Sequence, residues 1–229
     1  MKFLLAKIYR FCLYLGLDDS NDLKNYLFSV YFFFINIGLR FFYILKTNTF
    51  IIPTRHLVSL HVILSLQRIY SSFGINFFLL SGMLLGGVRQ ASFAGRPKDI
   101  DIGIIEKDFK ILKKNIFLIK NYFKDQLSRP IHEKPQFKIY YQKNNRIYFR
   151  IKTILVDIAI YKEVNIKKKK FWGLKKNSFL FSYSDLLKLK KIKLYNMYFY
   201  IPKNFNKYLA HLYGINWRIP DSKQFVWKN

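Results

Sequence analysis

The sequence predicts an α+β domain, a mixed sheet flanked by helices, behind an apolar helical N-terminal portion. Three observations carry this reading. A helical-period apolar pattern runs over 54–73, short strand-like segments alternate with helical ones from there to about residue 214, and no repeat or Gly/Ser-rich linker divides the chain. The 229 residues suit one domain with an appendage and can bury a sizeable core.

Residues 1–15 have a charged start and an apolar middle, but Lys7 and Arg10 interrupt it and no small-residue cleavage site follows, so they read as helix and not as a signal peptide. The apolar stretch 25–45, "NYLFSVYFFFINIGLRFFYIL", has an uncharged core that ends at Arg40, short of the ~18–20 residues a membrane span needs. It reads as a buried or interfacial helix, with membrane contact as a hypothesis. "TNTFIIPTR" at 47–55 is the boundary, giving a helical portion 1–50 and a main domain 51–229. Past it, Leu57, Leu60, Val62, Ile63, Leu66 and Ile69 mark an amphipathic helix capped by Thr54.

"INFFLLSG" at 75–82 reads as a buried strand ended by a glycine-rich turn, and "KDIDIGII" at 98–105 as a strand with Asp99, Asp101 and Gly103 on one face and isoleucines on the other. A helix over 107–125 follows, then strands at "FKIYYQ", "RIYFRI" and "TILVDIAIY", the last setting Asp157 between Val156 and Ile158. "KKIKLYNMYFYIP" reads as a hairpin turning at Asn196, and "PKNFNKYLAHLYG" as a helix with Pro202 near its first turn and Gly214 at its end.

The net charge of +27 calls for an anionic partner: nucleic acid, a nucleotide-activated substrate, a phospholipid headgroup or an anionic glycan. The excess of Lys, Phe, Ile, Asn and Tyr also matches the coding bias of an AT-rich genome, so charge alone does not choose. The single cysteine, Cys12, excludes an internal disulfide, and no Cys/His spacing suggests zinc; a reducing cytosol is the natural setting.

In a chain with 13 acidic residues, Asp99, Asp101 and Asp157 on apolar strands require an explanation. Two carboxylates on one strand face repel unless a cation lies between them, and Mg²⁺ or Mn²⁺ is held by such carboxylates together with substrate phosphates. Gly82, Gly86 and Gly87 let backbone N–H groups approach phosphate oxygens, and Arg89 offers a two-pronged donor. A glycine-rich turn, an isolated Asp-x-Asp and a lone arginine are each most often structural or solvated; their ordered combination, with a third Asp on a later strand, points to phosphoryl or nucleotidyl transfer.

"SGMLLGGVR" at 81–89 and "DIDI" at 99–102, with the closing segment 184–220, resemble the LicD/fukutin family of phosphocholine and phospho-alditol transferases, of the nucleotidyltransferase-fold superfamily. The resemblance spans about 55–220. It implies that Asp99 and Asp101 hold the divalent cation and diphosphate, with Asp157 as the third catalytic carboxylate and metal ligand, and that Gly82, Gly86 and Arg89 contact the donor phosphates; Gly87 joins them from the glycine-turn reading alone. Ser81 and Met83 stand where the family has a glycine and a hydroxyl residue, and Arg96, Pro97 and Lys98 stand where it usually has Trp-Asp-Asp, which puts a second ion in doubt. Arg96 and Lys98 would instead grip an anionic substrate. Lys190, Lys191, Tyr213, Trp217 and Arg218 are weaker substrate-binding candidates, with solvated charge or core packing as the plainer readings. His132 and His211 are left out of the catalytic set.

The expectation is a transferase moving a phospho-substituent from a CDP-linked donor to a hydroxyl of a cell-surface or lipid-linked glycan, releasing CMP, in the cytoplasm or at the inner membrane face. Nucleic acid is not the expected partner. The rivals are a nucleotidyltransferase acting on RNA and a degenerate basic binder of membrane or nucleic acid.

Overall fold

The computed structural model describes residues 54–95, 97, 99–119, 121–122, 140–142, 145–151, 154–174 and 178–220. The expected helical portion 1–50, the apolar segment 25–45, Arg96, Lys98 and His132 lie outside the described residues.

The elements run α1 (Thr54–Ser72), β1 (Phe78–Leu79), α2 (Ser81–Gln90), β2 (Asp99–Ile105), α3 (Glu106–Lys114), β3 (Tyr140–Gln142), β4 (Arg146–Ile151), β5 (Ile154–Ile166), β6 (Lys169–Gly173), β7 (Phe181–Ser182), α4 (Tyr183–Leu187), β8 (Lys190–Leu194), β9 (Met197–Ile201) and α5 (Phe205–Tyr213). The strands form a curled mixed sheet in the order β3-β4-β5-β2-β1-β9-β8, with β6 pairing on β5 and β7 on β6. Strand β2 is parallel to β5 and antiparallel to β1. The fold is α+β, as the sequence predicts.

Alternation decides the two faces. Ile100, Ile102 and Ile104 of β2 and Val156, Ile158 and Ile160 of β5 are buried; α1, α2 and α3 pack on this sheet region. Partly exposed Asp99 and Asp101 belong to the opposite face. Burying an isoleucine is worth roughly 1.5–3 kcal/mol, so slipping β2 by one residue would expose that row and is strongly disfavoured. The strand polarity is thus fixed by the isoleucines, and the aspartates are carried with it.

Two local expectations change. The segment after β1 is helix from Ser81 onward, not a turn. Leu80 is extended, with φ −131° and ψ 173°, and Ala91 closes the helix in the left-handed region at φ 50°. Gly86 and Gly87 lie inside this helix because a Cβ would not fit. At Gly86 it would come within 2.3 Å of the Ala94 nitrogen and the Ser92 oxygen, and at Gly87 within 2.5 Å of Ile192 Cδ1. The second change is the long β5–β6 hairpin, turning at Lys167 and Lys168, both with positive φ; no alternation in the sequence announces the strand at 169–173.

The hairpin of β8 and β9 turns at Tyr195 and Asn196, as expected, and α5 ends before Gly214. Asp185 fastens the C-terminal third: its Oδ2 accepts from the Ser182 N–H at 3.0 Å and its Oδ1 from Asn204 Nδ2 at 2.6 Å. Among the described residues no helix is long and apolar enough to cross a membrane.

Candidate active site

Strand register brings the carboxylates together. Asp101 stands opposite Asp157 on the neighbouring parallel strand, and Asp99 opposite Leu155, so all three belong to one sheet face and adjacent positions lie about 4.8 Å apart. Strand β4 adds Tyr148 opposite Asp157 and Arg146 opposite Ala159. Arg146 Nη1 donates to Asp157 Oδ2 in an ion pair.

The start of α2 closes the site from the β1 side. The Leu80 N–H donates to the Asp101 carbonyl at 3.1 Å, and the Gly82 N–H donates to the Asp101 carboxylate. No side chain from the helix itself caps α2; Asp101, reaching from β2, meets its free N-terminal donors instead. Ser81 takes a left-handed φ of 43° to make this approach, and its hydroxyl lies 3.4 Å from the Tyr208 hydroxyl on α5. Gly82 has open space where a side chain would project.

The electrostatics are those of a site short of positive charge. Burial pushes the Asp101 carboxyl up to about 7, with Asp99 and Asp157 repelling its ionised form, while Arg146 and the Gly82 N–H pull the other way. Burial likewise raises Asp157, against the pull of Arg146. Burial opposes the Arg146 charge, but Asp157, Tyr148 and Asp101 together hold its proton above the ordinary range. Asp157 Oδ1 is fully buried and has no hydrogen-bond partner, a costly condition unless something binds there.

Aromatic side chains pack beside and below. Phe78 and Tyr161 lie 5.7 Å apart, Tyr161 and Phe181 5.4 Å, and Phe181 and Tyr208 5.1 Å. A Cβ on Gly103 would strike the Phe78 ring at 2.3 Å, so this glycine lets the aromatic layer lie flat against β2. Tyr213 is half-buried; burial and then the charge of Asp101 raise its hydroxyl, so it lies within electrostatic reach of the carboxylates.

The candidates therefore separate. Asp99, Asp101, Asp157, Gly82 and Tyr213 converge. Arg89 lies in the last turn of α2, seven residues from Gly82 and so on the same side of the helix. Gly86 and Gly87 face protein, and their missing side chains are explained by packing. Trp217 is core at 3% exposure; Arg218 stacks on it at 4.4 Å and donates to Asn206. Lys190 and Lys191 are exposed on β8, over the rings of Phe205 and Tyr200, three strands from β2. His211 rests against Phe179.

Three residues at the site escape the sequence patterns: Arg146, Tyr161 and Tyr208. The available signal was an arginine opening an alternating strand, "RIYFRI", antiparallel to the strand bearing Asp157.

Residues 74–204 match the protein family described as LicD/FKTN/FKRP, nucleotidyltransferase domain, more than half the chain and including all three carboxylates. The chain belongs to this family. No curated protein matches it. The LicD match runs from the end of α1 to the start of α5, so Tyr208 and Tyr213 come from a helix just beyond it. Membership implies a transferase.

Whether these residues suit a divalent cation is a question of donor chemistry. Among the described residues no three His, Cys, Asp or Glu side chains form a ready cation cage, consistent with Asp157 Oδ2 being turned toward Arg146. The unpartnered Asp157 Oδ1 and the mutually repelling Asp99 and Asp101 nevertheless offer hard oxygen donors on one sheet face. This donor set fits an ion whose remaining ligands are substrate phosphates and water.

Proposed function

We propose that this LicD-family chain transfers a phospho-substituent, of the phosphocholine or phospho-alditol type, from a CDP-linked donor to a hydroxyl of a cell-surface or lipid-linked glycan, releasing CMP. The observation that carries the proposal is the pairing of Asp101 with Asp157 across parallel strands, beneath the N-terminal N–H groups of α2.

Asp99 and Asp101 would hold Mg²⁺ or Mn²⁺, with Asp157 as a third ligand or as acceptor of the hydroxyl proton; the ion would neutralise charge on the leaving phosphate. Gly82 leaves room for a diphosphate at the helix start, where backbone donors and the helix dipole favour anions. Arg89 extends that side of the helix toward the donor. The acceptor oxygen forms a bond to phosphorus as the bond between that phosphorus and the CMP oxygen breaks, and the hydroxyl proton leaves to a carboxylate or to water. Tyr213 would line the donor or the acceptor pocket. Positioning and charge neutralisation supply most of the rate. The basic surface supports work beside anionic lipid at the cytoplasmic membrane face.

The test is to incubate the purified chain with Mg²⁺ or Mn²⁺ and a panel of CDP-linked alcohols, with and without glycans, and to measure CMP. Glycan-dependent CMP release is expected. Pyrophosphate release from a nucleoside triphosphate with RNA as acceptor would replace this reading with nucleotidyl transfer.

A further inference from the structure

Arg146 is the feature of this site that neither the sequence motifs nor family membership assigns. It rises from β4, one strand beyond Asp157, and is paired to Asp157 Oδ2, with Asp101 near enough to be felt by its charge. The other oxygen of Asp157, Oδ1, is buried and unpartnered. One oxygen of the carboxylate is therefore spoken for and the other is left bare.

The charge balance gives this arrangement a meaning. Among the protein's own groups, Asp99, Asp101 and Asp157 contribute three negative charges when ionised, Arg146 returns one positive charge, and one divalent ion balances the two that remain, while the donor phosphates are met by Arg89 and the N-terminal N–H groups of α2. We infer that Arg146 is a positioning residue that stands in the place of a second cation: it fixes Asp157 through Oδ2, presents Oδ1 to a single divalent ion, and leaves no charge for another. The inference rests on the proposed cation-dependent transfer and deepens it, since it also makes Asp157 a ligand and not the proton acceptor. An arginine is suited to the task because its guanidinium stays charged when half-buried and its planar fork fixes a carboxylate in one orientation.

Ion counting tests it without reference to turnover. Bound Mn²⁺ per chain is measured by equilibrium dialysis and by the electron paramagnetic resonance signal of the free ion, with cytidine 5′-diphosphate present at the concentration of the chain. Wild type is expected to saturate at one Mn²⁺ per chain. Arg146→Met, which removes charge and fork, is expected to take up a second, with the line broadening of two close Mn²⁺ ions; Arg146→Lys keeps the charge and should stay at one. Where Arg146→Met folds too poorly to measure, Arg146→Gln retains a hydrogen bond to Oδ2 without the charge and should also bind two. Two ions in wild type, or one ion in both neutral variants, overturns the inference while leaving the proposed transfer intact. No ion in any of the proteins overturns the cation-dependent reading itself.

Discussion

Asp101 is where the backbone and charge arguments meet, because it caps α2, faces Asp157 and is crowded by Asp99. Asp101→Asn is expected to lower transfer by about 10²–10³-fold or more, since a neutral amide neither holds a cation nor balances one; CMP release in steady state measures this. The same substitution has a separate stability signature in the cation-free protein. The folded-state value of about 7 lies above the unfolded carboxylate value near 4, so the folded chain holds this proton more tightly. Its stabilising contribution is full below the unfolded value and is lost as pH rises through about 7. With chelator present, urea titrations should show wild type losing stability relative to Asp101→Asn between pH 4.5 and 7.5, by about 2–4 kcal/mol at most, because partial exposure of Asp101 lessens both the burial penalty and the repulsion. A constant difference across that range would remove Asp101 from the strongly coupled carboxylates.

Helix α2 shows how identical residues do different work by position along one element. Gly86 and Gly82 lie one turn apart, yet a Cβ at the first meets backbone atoms and at the second meets nothing. Gly86→Ala is expected to destabilise the fold by about 1–3 kcal/mol, because backbone cannot step aside as a side-chain tip can. Gly82→Ala is expected to be neutral or to stabilise by up to about 1 kcal/mol, since alanine is the better helix former, while raising the donor KM as the methyl intrudes on phosphate approach. Chemical denaturation with donor-dependent kinetics separates the two; equal stability losses at both positions would contradict the packing described. The spacing of these glycines was legible in the sequence, but their division was not, because the atoms that fill the space beside Gly86 and Gly87 come from 92–94 and from β8. The strands bearing Asp99, Asp101 and Asp157 were legible because alternation of apolar and polar residues is a local property. The turn at Tyr195 and Asn196 was announced by an asparagine tolerant of positive φ, whereas the turn at Lys167 and Lys168 uses residues that carry no such signal. Arg146 escaped for a related reason: its role follows from β4 lying beside β5, a pairing no single segment encodes.

The charge distribution of the protein follows from how its few acids are deployed. Of the described carboxylates, Asp99, Asp101 and Asp157 are gathered at the site, Asp108 is buried and accepts from the Asn76 N–H, and Asp185 is engaged in capping. The described ion pairs are Arg146–Asp157, inside the site, and Lys170–Glu163 on the β5–β6 hairpin. With 40 Lys and Arg against 13 Asp and Glu, most basic side chains have no acid to balance them, and this self-repulsion opposes compaction. Two effects of salt then compete: screening weakens surface ion pairs, which are each worth about 0–1 kcal/mol, and it weakens the repulsion among a much larger number of like charges. Repulsion outweighs attraction here, so raising NaCl from 20 to 300 mM should increase the cation-free Tm, by about 2–6 °C if relief amounts to 1–2 kcal/mol. Differential scanning calorimetry checks this. A Tm that falls with NaCl would mean that the attractive pairs outweigh the lysine excess, and that the basic surface is locally compensated instead of open to an anionic partner.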